Sequence, residues 1–341
     1  RGKRRIYWHS STKCRVPILI MKISKLDKAS IIAIRDCMGA KVNESVLIVT
    51  DEFKKKIGYN LYLNALKLGH EALFVEMKSR EMHGEEPPKQ VAELMKKFDV
   101  VLCPTAKSLT HTNARREASA LGARIATFPG ITEEIMIRGL NADYKKIANL
   151  TNKLTEILSG VKQVKVSAPN GTDITLDVSG RKAISSKGLF HNKGESGNLP
   201  TGESYIAPME GKSNGVFYVD GSMAGIGVIK GKPIRIEVKD GLAFNISGGA
   251  QAKKLNAILE KYGDAGRNIA EFGIGTNDKV KLSGLLLEDE KVMGTIHIAL
   301  GDNKSMGGNV NVPVHLDGVV KKPTVFFDGT MIMKNGKLLV K

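Results

Sequence analysis

The sequence lacks any run of about 18 apolar residues, which excludes a membrane-spanning helix of ordinary length. Only three cysteines occur, Cys14, Cys37 and Cys103, and they have neither a metal-binding spacing nor the even number that a disulfide framework requires. So few cysteines suit a reducing compartment, and we expect a cytoplasmic protein. Hydrophobic residues make up 42% of the chain and charged residues 26%, a balance that excludes disordered and collagen-like chains.

The net charge of +17 is not gathered into one basic stripe. Residues 1–20 carry six basic residues and no acid, and the rest of the excess is divided between the two halves of the chain. Nucleic-acid-binding proteins usually concentrate their charge on one face, so we predict neither a nucleic acid nor a membrane as partner. For residues 1–20 we predict a basic tail, either disordered or produced by an upstream start site, because its apolar run at 16–20 is too short for a signal peptide.

Residues 21–160 alternate short apolar runs with helical patterns. We predict strands at 46–50, 71–77, 100–104 and 124–128, with helices at 52–69, 87–98, 112–121 and 141–158. This alternation predicts an α/β domain built on a parallel sheet. No GxGxxG motif follows the first strand, which argues against a dinucleotide site.

Residues 161–341 have the pattern of a second, α+β domain. Apolar and polar residues alternate on both sides of Asn170-Gly171, which predicts a hairpin turn. Further strands are predicted at 215–219, 233–238, 280–282, 294–300 and 324–327, with one helix at 251–262. We expect this domain to bind metal and to carry the catalytic site.

Four segments of the second half place acids and histidines among small and apolar residues. Glu203 lies in NLPTGESYIAP, Glu271 in AEFGIGTN and His297 in GTIHIALG, while VHLDGVV carries His315 and Asp317. The period of two along a strand puts the last two side chains on one face. A buried carboxylate is costly unless it is paired or bound to a metal, and nitrogen and oxygen donors suit Zn, Mn, Co or Fe. Five such ligands would suit a two-metal site, although a lone strand histidine is more often a core residue.

The four motifs, in this order, resemble the aminopeptidase T family of dinuclear metallopeptidases. SLTHTNARREA and GARIATFPGITEE resemble the N-terminal domain of that family, and the resemblance covers roughly residues 40–340. It implies two divalent ions (Zn, Co, Mn or Mg) bound by Glu203, Glu271, His297, His315 and Asp317. It also implies a homodimer that removes N-terminal residues from a peptide substrate, with Glu203 or Glu271 as the catalytic group that takes a proton from a metal-activated water.

One position departs from the family. Lys304 stands where the peptidases have a tyrosine, seven residues after His297, and the stretch between His297 and His315 is shorter than theirs. A related branch of the same fold is an iron-dependent dioxygenase that opens dihydroxypyridine rings. In that alternative, His297, His315 and Asp317 would supply the two-histidine, one-carboxylate triad for Fe(II).

His111 and Arg115 follow the third predicted strand, in the position where loops of parallel sheets bind ligands. We predict that they contact substrate across the cleft between the domains. The competing interpretation is a helix that begins at a Thr112 cap, with Arg115 as a solvent-facing charge. A third hypothesis is a non-enzymatic protein that binds polyanions without a metal.

Overall fold

A computed structural model describes residues 23–340, so the predicted basic tail lies outside the described residues. The first half of the described chain alternates helices and strands, and α1 continues into a π-helical segment at Ile32–Cys37. These elements are α1 Lys25–Ile31, β1 Val46–Asp51, α2 Lys55–Lys67, β2 Ala72–Met77, α3 Lys89–Met95, β3 Val100–Cys103, α4 Asn113–Ala120, β4 Arg124–Thr127, α5 Glu133–Leu140 and α6 Tyr144–Ser159.

The four strands pair in parallel, as the sequence predicts. Val46 of β1 lies opposite Ala72 of β2 on one side and Val100 of β3 on the other. Every residue of β1 is buried, because helices cover both faces of the sheet. The continuous apolar run that marked this strand in the sequence is the expected signature of such a position.

The second half is built mainly from short strands. Its elements are β5 Gln163–Ser167, β6 Asp173–Asp177, β7 Ile184–Ser186, β8 Ser196–Asn198, β9 Glu203–Ile206, β10 Asn214–Val219, β11 Ser222–Met223, β12 Gly227–Val228, β13 Ile234–Lys239, β14 Leu242–Ser247, α7 Ala250–Leu259, α8 Gly263–Arg267, β15 Ile269–Gly275, α9 Leu286–Asp289, β16 Thr295–Gly301, β17 His315–Lys321, β18 Thr324–Phe327, β19 Thr330–Lys334 and β20 Lys337–Leu338.

Three sheets organise these strands. The parallel sheet has the order β2-β1-β3-β4-β8, so the chain beyond Gly160 returns to it and adds a fifth strand. An antiparallel eight-stranded sheet runs β14-β13-β10-β6-β5-β18-β19-β20, and an antiparallel seven-stranded sheet runs β12-β11-β17-β16-β15-β9-β7. The architecture is thus a parallel sheet with helices combined with antiparallel sheets. The domain boundary near residue 160 stays a prediction.

The two antiparallel sheets share one apolar core. Phe272 of β15 and Phe327 of β18 meet edge to face across it, with ring centroids 6.4 Å apart. Ile274, Ile296 and Ile298 belong to the same buried cluster. Because side chains alternate along a strand, the residues between these positions point to the opposite face of the seven-stranded sheet.

The predicted strand at 280–282 is wrong. Val280 is buried, but the segment is irregular, and the backbone N–H of Lys281 donates to the Glu288 carboxylate at 3.1 Å instead of to a neighbouring strand. Helix α5 and the short strands β7 and β8 were not predicted from the sequence.

No helix within residues 23–340 has the length and apolarity needed to cross a membrane.

Candidate metal centre

The five predicted ligands lie on one face of four adjacent strands, β9, β15, β16 and β17. Glu203 of β9 is the register partner of Gly275 in β15. Glu271 of β15 pairs with Ala299 of β16, which pairs in turn with Asp317 of β17. Residues directly opposite each other in a sheet project to the same side, so the register gathers the acids on the face away from the apolar core.

The His297 imidazole fits on this face because residue 273, opposite it, is glycine. The two residues are register partners, and a Cβ built on Gly273 would lie 2.0 Å from His297 Nε2. No real Cβ contact is that short, so the ring occupies the space that any other residue at 273 would fill. Residue 273, in AEFGIGTN, is therefore glycine because a side chain there would overlap the His297 ring.

Glu271 lies between the two imidazoles. His297 Nε2 donates to Glu271 Oε1 at 3.0 Å, and His315 Nε2 lies 3.2 Å from Glu271 Oε2. His315 Nε2 is also 3.4 Å from Asp317 Oδ1, and His297 Nε2 is 3.8 Å from Glu203 Oε2. Glu271, His315 and Asp317 thus form one close group, which His297 joins through Glu271 and Glu203 joins through His297.

A backbone carbonyl fixes the orientation of His315. Its Nδ1 lies 2.8 Å from the carbonyl oxygen of Asp302, which can only accept, so Nδ1 carries the proton. Nε2 is then the atom that faces Glu271 and Asp317. Metal-binding histidines are commonly oriented in this way by a hydrogen bond at the other ring nitrogen.

The charges of the centre shift the pKa values of its groups. Burial raises the pKa of Glu271, but hydrogen bonds from His297 and His315 outweigh burial and lower that pKa to about 2. Burial lowers the pKa of both imidazoles, but the neighbouring carboxylates outweigh it and raise each pKa above its ordinary value. Burial raises the pKa of Glu203, and the positive charges of Lys291 and His297 offset part of that rise. The acids therefore favour positive charge at the imidazoles.

The donor set fits a divalent cation. Glu271, His315 and Asp317 each offer a ligand atom, and these atoms lie within 4.8 Å of one another. Glu203 Oε2 and Asp317 Oδ1 are buried acceptors that receive no hydrogen bond from the residues at 23–340. Buried acceptors without donors are costly. A bound cation would satisfy Asp317 Oδ1, and the His297 imidazole faces Glu203 Oε2 from 3.8 Å.

Sequence analysis missed Lys291. Its side chain is 1% exposed, its Nζ lies 3.2 Å from Glu203 Oε1, and it also contacts the Glu290 carboxylate. In the sequence it stands in the charged segment EDEK, which reads as a solvated turn. The tertiary fold alone brings it to the site.

His111 lies in the loop after β3. Burial lowers the pKa of His111, and the positive charges of Arg115, Arg116 and His315 lower it further, which Asp302 partly offsets. Substrate contact by His111 stays a prediction.

The structure confirms the predicted helix cap at Thr112, but Arg115 is not a solvent-facing charge. Its Nε donates to the Thr110 carbonyl at 2.8 Å, and a terminal nitrogen donates to Ser196 Oγ at 3.2 Å. Thr112 Oγ1 accepts from the Arg115 backbone N–H at 3.2 Å, which is the predicted cap of α4. Arg115 is therefore half-buried against the loop and β8, and contact with substrate remains untested.

Comparisons with known proteins identify relatives over nearly the whole chain. A family model described as NicX, 2,5-dihydroxypyridine 5,6-dioxygenase, matches residues 36–340. The structure resembles that of 2,5-dihydroxypyridine dioxygenase from Pseudomonas putida KT2440, with a TM-score of 0.80 and 16% identity, over 94% of this chain and 99% of that chain. It also resembles wild-type AmpT from Thermus thermophilus, with a TM-score of 0.67 and 17% identity, over 93% of this chain and 99% of that chain. No curated protein matches the sequence.

The aminopeptidase T prediction is wrong. The family that matches is a dioxygenase, so the predicted hydrolase and protease activities are wrong with it. The acids and histidines of β9, β15, β16 and β17 led the sequence interpretation to the aminopeptidase T family, and the family match over residues 36–340 overturns it. The informative difference was Lys304, which is exposed in a short 3₁₀ turn where the peptidases have a tyrosine.

Proposed function

This chain belongs to the NicX family, 2,5-dihydroxypyridine 5,6-dioxygenase, and we propose that it is a metal-dependent dioxygenase that opens a dihydroxypyridine ring. The family match over residues 36–340 carries this proposal. The convergence of imidazoles and carboxylates on one sheet face supports it, because such donors suit Fe(II).

His297, His315 and Asp317 would hold the ferrous ion as a triad of two histidines and one carboxylate. Glu271 adds a second carboxylate, which contacts both rings. When bound, the ferrous ion would bring dioxygen and the electron-rich ring together and relay electrons from the ring to dioxygen. His315 is the most accessible of these side chains, at 30% exposure, so substrate would approach from its side.

We assign substrate contact to His111. Its lowered pKa keeps the imidazole neutral at neutral pH, so it is able to accept a hydrogen bond or a proton from a ring hydroxyl group. Arg115 would hold the loop that carries His111, through its bonds to the Thr110 carbonyl and to Ser196. Both assignments rest on the place of this loop after β3, where loops of parallel sheets bind ligands.

The test is oxygen consumption by the iron-loaded protein. The purified chain is loaded with Fe(II) without air, mixed with 2,5-dihydroxypyridine and then given oxygen, while an electrode and the ring absorbance follow the reaction. We expect one dioxygen consumed for each ring lost, and no reaction by Asp317→Asn. Asp240→Asn is the matched control, because Asp240 lies in an exposed turn and its positive φ of 47° is one that asparagine adopts. Hydrolysis of leucyl amides without oxygen uptake would refute the proposal.

A further inference from the structure

Lys291 is buried beside the metal centre and has no part in the ligand set. Lysine is almost never fully buried unless it is paired, and this side chain is 1% exposed. Its Nζ lies 3.2 Å from Glu203 Oε1 and also contacts Glu290, whose side chain is 14% exposed. Glu203 Oε1 therefore already has a cationic partner supplied by the protein.

The backbone around Lys291 is built to deliver this charge to the sheet. A Cβ on Gly275 would lie 2.2 Å from the Val292 carbonyl oxygen and 2.7 Å from the Lys291 carbonyl carbon. Gly275 is the register partner of Glu203, so the 291–292 backbone packs on the strand directly beside that acid. The Asn277 N–H donates to the Lys291 carbonyl at 3.0 Å and fixes the position.

We propose that the Lys291 ammonium serves as a built-in cation that occupies Glu203 and limits the centre to one metal ion. The inference rests on the proposed metal centre and assigns a role within it. Two ions in a dinuclear site lie about 3.5–4 Å apart and share carboxylates. A second ion would need Glu203 and would lie next to a fixed positive charge. Glu203 is then a positioning residue near His297, and the ion binds to Glu271, His297, His315 and Asp317.

The first test is the number of metal ions bound. The full chain is titrated with Mn²⁺ by calorimetry, and the loaded protein is examined by electron paramagnetic resonance. We expect one equivalent and the spectrum of an isolated ion. In Lys291→Met, which keeps the length of the side chain and removes its charge, we expect a second equivalent and the spectrum of a coupled pair. Two equivalents in the wild type, or one equivalent in a folded Lys291→Met, would overturn the role of Lys291.

A second variant keeps the test decisive if Lys291→Met does not fold. Glu203→Gln should retain one equivalent with affinity lowered by about 10–100-fold, as for a residue outside the ligand shell. Asp317→Asn, a ligand variant, should lose far more. Equal losses in both variants would make Glu203 a ligand and overturn the inference. One bound ion without oxygen uptake would instead refute the dioxygenase function and leave the role of Lys291 standing.

Discussion

At the scale of single residues, the position of the His297 ring depends on Gly273. We predict that Gly273→Ala displaces the ring and destabilises the protein by about 1–3 kcal/mol, the usual cost of overpacking a buried site. The reason is the 2.0 Å separation between a Cβ at 273 and His297 Nε2. Urea unfolding measures the stability, and Mn²⁺ titration measures the accompanying loss of metal affinity.

Gly160→Ala provides the control for this substitution. Gly160 has an ordinary negative φ of −97°, and the nearest atom to a Cβ there is 3.6 Å away. We expect Gly160→Ala to change the free energy of unfolding by less than about 0.5 kcal/mol, as for an ordinary surface substitution. A Gly273→Ala protein with unchanged stability and metal affinity would contradict the role given to this glycine.

Residue-level sequence reasoning identified acids and histidines that meet on one sheet face and missed their surroundings. His315 and Asp317 share a strand, so the period of two sufficed to put them on one face. No local pattern indicated that Lys291 is buried. Its burial depends on Gly275 of β15, where the absence of a side chain leaves room for the Lys291 backbone. Contacts of this kind depend on tertiary packing and leave no local pattern.

At the scale of elements, Asp27 joins α1 to α2. Its carboxylate accepts from Ser24 at the start of α1, and it accepts from Asn60 and Asn64 of α2 at 2.9 Å each. Partial burial raises the pKa of this carboxyl, but the hydrogen bonds from the two asparagines and Ser24 outweigh burial and hold the pKa well below its usual range. The ionised form is therefore the one that stabilises the contact between the helices.

We predict that Asp27→Asn lowers the free energy of unfolding at pH 7 by about 1.5–3 kcal/mol, the range for hydrogen bonds to a charged group. Because the folded pKa is depressed, this contribution is complete well above the ordinary aspartate pKa of about 3.9 and is lost progressively as the pH falls from there to the folded pKa. Urea unfolding from pH 7 to pH 3 should show the difference in stability between the two proteins narrow at the acid end. A difference that does not change with pH would contradict the assignment, and exposed Asp264→Asn is the control.

An ion pair ties α5 to α9. Arg138 Nε lies 2.6 Å from Glu288 Oε1, its second nitrogen lies 2.8 Å from Oε2, and Glu288 is fully buried. We predict that Arg138→Met costs about 3–5 kcal/mol of stability, because it leaves a buried carboxylate unpaired. The double variant Arg138→Met/Glu288→Gln should lose less than the single one, which urea unfolding of both will show.

The control for this pair is a salt bridge at the surface. Lys55 and Glu76 are 2.7 Å apart with side chains 60% and 33% exposed. Lys55→Met should cost no more than about 1 kcal/mol, since solvent screens such pairs. Equal losses from Arg138→Met and Lys55→Met would mean that burial of Glu288 does not set the cost.

Elements of the parallel sheet were easier to predict than those around the site. β1 and β3 are continuous apolar runs that sequence periodicity detects, and helix α6 has a regular amphipathic pattern. Strands β7 and β8 have three residues each, and β8 lies in a Gly- and Asn-rich segment, so pairing with other strands defines them. The segment 280–282 has strand-forming residues, but the Lys281 backbone N–H donates its hydrogen bond to the Glu288 carboxylate and not to a neighbouring strand.

At the scale of the whole molecule, the proposed metal centre would couple folding to metal binding. Its donors come from strands far apart in sequence, so the unfolded chain has no comparable site. We predict that Mn²⁺ at 100 times its Kd raises the free energy of unfolding by about 2.7 kcal/mol. Urea unfolding with and without the ion, with a chelator as reference, measures the change.

The ligand variants test where that stabilisation arises. Glu271→Gln and His315→Ala should fold, bind less metal and gain little stability from Mn²⁺. Wild-type stabilisation in both variants would show that the ion binds elsewhere. Homodimer formation and a cytoplasmic location stay predictions at this scale.

The parallel sheet takes its fifth strand, β8, from residues 196–198, after the chain has passed through α6 and the first hairpin of the second half. During synthesis on the ribosome, β4 therefore emerges well before the strand that will cover its open edge. Until then that edge offers unpaired backbone groups to any neighbouring nascent chain. Completion of the N-terminal half thus has to wait for translation of the C-terminal half, which makes this interval the point at which a chaperone would matter most.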